Sequence, residues 1–262
     1  MNIRVAYIPY LNMAPFHQGF GPEPLDFEGQ RVEFRSFSPR GLGLEADKGV
    51  LDAGAMSIMD LFRLSSRYEP LGHLGIGVQR QAQSVLLFSK TIIASLKGTV
   101  AVTDETSTSF RLLQVLLAQR YNIGDIHYGR IASSVLYDGA SDALLLIGDE
   151  ALQAHREGIK GLPVVTDLGE EWWQWQKLPF VFARWVVRQG LRQEAKDFIE
   201  VCLEKSLKRS AMDILISQAE AKKRGLTSEE VLDYWRGFSF HLTPAHLESI
   251  RRFEELVSLT HV

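Results

Sequence analysis

Apolar and polar positions change their spacing several times along this chain, and the changes mark its elements. Residues 3–8 (Ile-Arg-Val-Ala-Tyr-Ile) read as a strand, and residues 31–35 alternate with period two and read as another. Residues 51–56 are a run of small apolar side chains, the mark of a buried parallel strand. Between them, residues 12–18 read as a loop running into a short helix, 42–48 as a helix and 60–65 as a helical turn. Residues 83–89 form a strong apolar strand, followed by a short helix at 92–96 that Gly98 ends. A strand–helix rhythm then restarts, with strands expected at 99–103, about 125–130 and 143–147 and helices at 109–119 and about 132–137. Residues 178–187 are a long apolar strand, and after 190 the pattern is helical to the end. Thr227 with Glu230 makes a capping box, and Thr243 before Pro244 makes another helix start. The last helix carries Leu247, Ile250, Phe253 and Val257 on one stripe.

Strands alternating with helices predict an α/β protein with parallel sheets and right-handed crossovers. The long strands at 84–89 and 178–187 divide the chain into two lobes. Residues 1–86 with 188–262 form the first, including the C-terminal helices, and residues 87–187 form the second. A ligand cleft between the lobes is expected at the carboxyl ends of the strands.

The loops that would face such a cleft carry the candidate chemistry. Residues 104–113 (Asp-Glu-Thr-Ser-Thr-Ser-Phe-Arg-Leu-Leu) place four hydroxyls, Thr106, Ser107, Thr108 and Ser109, between an apolar strand and an apolar helix. The N–H groups and positive dipole end of such a helix can hold a carboxylate or phosphate. The same cluster is also what an ordinary helix cap looks like. Asn12 offers donors and an acceptor, or an Asx-turn. Ser57 could meet a ligand carboxylate or cap the next helix. Arg80 could clamp a carboxylate bidentately or stay solvated. Asp149 could bond a substrate hydroxyl or cap the helix expected near Glu150. His17 reads first as a surface histidine. Trp172, Trp173 and Trp175 read as lobe packing or as the wall of an aromatic ligand.

Composition narrows the classes. Hydrophobic residues make up 45% and charged residues 23%, as in ordinary globular proteins. A net charge of −3 with scattered basic residues argues against a nucleic-acid partner. The single cysteine, Cys202, reads as a buried structural thiol. The seven histidines form no metal-binding spacing, so no metal site is expected. No apolar run reaches the roughly 20 residues that span a bilayer, so no membrane contact is expected. The first strand starts at residue 3 with no leader pattern before it, which predicts a cytoplasmic protein.

These segments, in this order, resemble the MqnA/MqnD family of the futalosine route to menaquinone, and its chorismate dehydratases most. The resemblance rests on Tyr10-Leu-Asn-Met-Ala-Pro15, Leu51-Asp-Ala with Ser57, Ser84-Val-Leu-Leu-Phe-Ser-Lys90 and Thr106-Ser-Thr-Ser109. Asp142-Ala with Ile147-Gly-Asp149, and Asp167-Leu-Gly169 with Leu178-Pro-Phe-Val-Phe-Ala183, complete it. It implies a two-lobe fold like the type II periplasmic binding proteins, with a small dianionic substrate in the cleft. It implies a cofactor-independent hydro-lyase that removes water from chorismate to give 3-[(1-carboxyvinyl)oxy]benzoate. By the resemblance Asn12, Ser57, Thr106, Ser107, Thr108 and Ser109 would contact the substrate, with Asn12 as the catalytic residue; Arg80 and Asp149, read from their place on the cleft loops, would join the substrate-binding residues. The chain departs from the family pattern at Ser57-Ile58, where a Ser-Ser or Pro-Ser pair is usual and one expected hydroxyl is missing, and at Arg80-Gln81, where Gly-Pro is usual. A non-catalytic binding protein for a small acid, and the sister activity that forms 1,4-dihydroxy-6-naphthoate, are the alternatives.

Overall fold

Short apolar runs separated by polar turns build two mixed sheets. The computed structural model describes residues 2–18, 25–103, 106–132 and 139–260. Asp104, Glu105 and most of the helix expected at about 132–137 lie outside the described residues. The first elements are β1 (Ile3–Tyr7), α1 (Ala14–His17), β2 (Leu25–Phe27), β3 (Gln30–Ser36), α2 (Pro39–Asp47), β4 (Ala53–Ser57), α3 (Ile58–Arg63) and β5 (Tyr68–Val78). Next come β6 (Val85–Ser89), β7 (Gly98–Thr103), α4 (Thr108–Val115), β8 (Ile126–Ile131), β9 (Ala143–Ile147), α5 (Gly148–Glu157), β10 (Val164–Asp167) and α6 (Leu168–Gln176). The chain ends with β11 (Phe180–Arg188), α7 (Gln193–Met212), α8 (Ile214–Arg224), α9 (Ser228–Arg236), β12 (Phe238–His241) and α10 (Pro244–Leu259).

Contacts divide the chain into one unit of residues 1–76 with 183–241 and another of 77–182 with 242–262. The boundaries fall inside β5 and β11. The final helix, expected with the first unit, belongs to the second, because its Phe253 packs edge-on against Trp172 and Phe180 there.

The seven-stranded sheet has the order β12-β5-β11-β4-β1-β3-β2. Strand β1 pairs in parallel with β3 and β4, while β4 pairs antiparallel with β11. The sheet is therefore mixed, not parallel, since the returning strand inserts beside β4. Phe16 of α1 packs on this sheet, meeting Trp185 of β11 and Phe240 of β12 at centroid distances of 5.4 Å each. The buried carboxylate of Asp52 ties three strands by accepting from the Arg4 main chain and side chain and from the Arg188 guanidinium.

The five-stranded sheet has the order β10-β6-β9-β7-β8. Strand β7 is parallel to β8 and β9, and β6 is antiparallel to β9 and β10. Leu86, Phe88, Leu144 and Leu146 alternate along β6 and β9 to fill one core. Trp172 is fully buried and donates its indole N–H to Ser249 at 3.0 Å, so this tryptophan is packing.

Four strands, β2, β5, β10 and β12, escape the sequence pattern. Pro70 and three glycines weaken the β signal of β5, and β12 interrupts the tail expected to be all helix. Helix α4 ends in a π-helical turn, Leu116–Arg120, that brings Arg120 and Tyr121 both onto Glu171. Cys202 is half-buried on α7, and burial raises its thiol above the ordinary range. No helix among the described residues is long and apolar enough to cross a membrane.

Candidate functional site

In the first unit, the segment after β1 is held by its main chain. Arg224 donates to the Pro9 carbonyl at 3.2 Å and Trp235 to the Leu11 carbonyl at 2.7 Å. Ser206 and Ser210 donate to the Pro15 carbonyl at 2.8 and 3.3 Å. A tight turn, from the Met13 N–H to the Tyr10 carbonyl at 3.0 Å, closes the bend. Arg224 is itself fixed by Glu220, a carboxylate only 1% exposed that also accepts from Gln18 and Lys223. Such bracing fixes the position of whatever side chains the segment presents.

It presents two polar atoms with nothing to bond. Asn12 Oδ1 and His17 Nε2 are buried and have no hydrogen-bond partner among the described residues. Buried polar atoms are normally paired, so an orphan needs a reason. His17 is not the surface histidine expected. Its ring lies 4.5 Å from that of Tyr7, and burial pushes its pKa down to about 4, against the opposing pull of Glu220. His17 is therefore neutral at pH 7.

Ser57 ends β4 and caps α3. It accepts from the Asp60 N–H at 3.1 Å and donates to the Asp60 carboxylate at 2.8 Å. The capping reading of this serine is thus realised.

In the second unit, β7 delivers the hydroxyl cluster to the start of α4. Thr106, Thr108 and Ser109 are buried, and Ser107 is the N-cap residue without a side-chain cap bond to the helix. Thr106 Oγ1 is a further buried atom with no partner among the described residues. Arg130, from the neighbouring strand β8, braces this turn. It donates to the carbonyls of Thr103 and Thr106 at 3.3 and 3.4 Å and lies over the Phe110 ring at 4.6 Å. A cation beside a helix N-terminus adds to its pull on an anion. The clue to Arg130 was its place near the end of a strand pairing with 99–103.

Arg80 is on an exposed loop and makes a bidentate pair with Glu170 at 2.7 and 3.2 Å. The loop itself is clamped by Asp167, which accepts from the N–H groups of Ala82, Gln83, Gly169 and Glu170. Burial pushes the Asp167 carboxyl up, while the four amides pull it down. Gln83 has the left-handed φ of +59°, a strained choice for this residue that the Asp167 clamp holds. Gly169 has no room for a side chain, since a Cβ would stand 2.6 Å from the Arg80 carbonyl. Asp149 does not cap α5. Gly148, with φ of +62°, starts that helix, and Asp149 lies in its first turn. No group of His, Cys, Asp or Glu that could hold a metal ion is found among the described residues.

The structure therefore places Asn12 and Ser57 in the first unit and Arg80, Thr106, Ser107, Thr108, Ser109 and Asp149 in the second. Sequence reasoning missed Asp167, Arg130, Arg224 and Trp235, whose partners are remote in the chain.

A family described as menaquinone biosynthesis matches residues 3–258. A chorismate dehydratase of Thermus thermophilus is 28% identical over 269 residues, covering 95% of this chain and 93% of that one. Protein AF1704 of Archaeoglobus fulgidus shares the fold with a TM-score of 0.78 at 19% identity, over 98% and 97% of the two chains. The periplasmic aliphatic sulphonate binding protein SsuA of Escherichia coli shares it with a TM-score of 0.65 at 18% identity, over 98% of this chain and 86% of that one.

Proposed function

This chain belongs to the menaquinone-biosynthesis family, and from that membership we propose that it is a hydro-lyase converting chorismate to 3-[(1-carboxyvinyl)oxy]benzoate and water. Supporting the choice of reaction is the similarity to a chorismate dehydratase over nearly the whole chain. The observation that carries the site is the set of buried, unpartnered polar atoms, Asn12 Oδ1 and Thr106 Oγ1, on the two turns that the resemblance marks as contacts. A polar ligand bound at either turn would satisfy the atom buried there.

The reaction breaks a ring C–O bond and removes the hydrogen from the neighbouring carbon, and the ring becomes aromatic. The products are one water and one aromatic diacid, with no change in redox state. Because aromatisation drives the step, the protein's task is to hold a dianion in a reactive geometry and to assist two proton movements. In this reading the Thr106–Ser109 turn takes one carboxylate, with Arg130 holding the turn. Ser57 and Arg80 serve the other carboxylate, and Asp149 bonds a substrate oxygen. Arg80 must then exchange Glu170 for the substrate, which costs little for an exposed pair.

Asn12 orients the departing hydroxyl. Two groups can take the ring proton: His17, neutral and with a buried Nε2 that no described residue bonds, or the substrate's own enolpyruvyl carboxylate. Changing His17 to Gln decides between them. Loss of turnover with binding intact assigns the proton to His17, and retained turnover assigns it to the substrate.

The sulphonate-binding protein has the same fold, so capture of a small acid without chemistry is the second reading. The experiment is to incubate the protein with chorismate and follow the ultraviolet spectrum and the proton NMR of the ring. An aromatic product supports the dehydratase. Binding without product supports the second reading.

A further inference from the structure

The first unit holds a cavity of about 620 Å³ that the proposed chemistry does not use. It lies among α7, α9 and β12, with Pro15 on one side. Phe238 and Phe240, two residues apart on β12, form one wall. Their rings are nearly parallel, at 15°, with centroids 6.2 Å apart. Both are only partly buried, while Trp235 and Leu207 line deeper, buried positions. Half-covered aromatic surface around a volume of this size is what small-molecule sites offer.

The charges around the cavity are unequal. Arg236 is occupied by Asp233, and Glu204 is faced by His241 at 2.9 Å. Lys208 is exposed and has no ion-pair partner among the described residues. Flat rings favour a flat ring against them, and one open ammonium matches one carboxylate better than a multiply charged phosphate.

The lining is also tied to the Asn12 segment. Trp235 donates to the Leu11 carbonyl and Ser210 to the Pro15 carbonyl, so an occupant touches the braces on both sides of Asn12. We propose that this cavity is a second small-molecule site, taking a planar aromatic carboxylate and altering turnover through Trp235 and Ser210. The binding part stands by itself, while the coupling to turnover rests on the dehydratase reading.

The test uses the full chain and 1-naphthoate as the probe, with ligand-observed NMR and calorimetry. Wild type should bind it with a single site, and Asn12→Ala should bind it equally well. Ala211→Trp, which fills the cavity from α7, should abolish binding. Lys208→Glu, a surface change that spares the fold, should weaken it about fivefold. Failure of wild type to bind, or binding that survives both α7 changes, overturns the site. If 1-naphthoate binds in the cavity and chorismate turnover is unmoved, the coupling is overturned. If it binds there and wild type makes no aromatic product from chorismate, the dehydratase reading falls and the site stands.

Discussion

Asn12, His17 and Thr106 each bury a side-chain polar atom that no described residue satisfies, as do Arg184, Trp185 and His246. Leaving such an atom unpaired costs about 1–3 kcal/mol. For Asn12 and Thr106 a ligand is the proposed compensation, which gives opposite expectations for stability and for catalysis. Asn12→Ala should lower kcat about 100-fold, a typical size for one positioned catalytic group, and leave the melting temperature nearly unchanged. Thr106→Val should raise KM about tenfold and not destabilise the protein, because the hydroxyl it removes bonds nothing among the described residues. Steady-state kinetics and thermal melts check both. His17 makes a pH prediction. Its folded pKa of about 4 lies below the ordinary value of 6.5, so the unfolded chain binds the proton more tightly. The stability this histidine contributes is present above pH 6.5 and is lost as pH falls toward 4. Between pH 7 and 5 the loss is about 2 kcal/mol. Urea midpoints should show that His17→Gln removes this part of the pH dependence, and an unchanged slope would contradict the burial argument.

Elements decide whether these side chains stand where chemistry needs them. The Pro9–His17 segment is fixed by four donors from α7, α8 and α9. Trp235→Phe removes one of them at nearly constant volume, and should cost about 1 kcal/mol and lower kcat more than it changes KM. On the second unit, Asp167→Ala frees four N–H groups and the strained Gln83 turn at once. A loss of about 2–4 kcal/mol is expected in denaturant unfolding. Local periodicity made β1, β3, β4, β6, β7 and β9 legible, and the Thr227–Glu230 box was visible by spacing and is formed. Strand β12 was not legible, because four residues between helices carry too few positions to show a period. Asp167 was visible only as part of a motif. Its role comes from a loop some 85 positions away, and nothing local in the sequence encodes that contact.

At the scale of the whole chain, two units each own a core, and the last helix completes the second rather than the first. Trp172 is the centre of that completion, with Phe180 and Phe253 around it and Ser249 on its indole nitrogen. Trp172→Ala should cost about 3–5 kcal/mol, read as a shift of the unfolding midpoint. The division into two α/β units followed from the long apolar strands, but the ownership of α10 did not. A stripe of apolar residues says that a helix packs, not on what. The chain belongs to the menaquinone-biosynthesis family, and Asn12 Oδ1 and Thr106 Oγ1 are buried with no partner among the described residues, which is where the proposed diacid ligand enters. The most direct test is to mix purified protein with chorismate and record the ring protons by NMR over time. The account predicts loss of the diene signals and appearance of a meta-substituted aromatic ring, slowed about 100-fold in Asn12→Ala. An unchanged chorismate spectrum with wild-type protein, under conditions where chorismate binds, would contradict it.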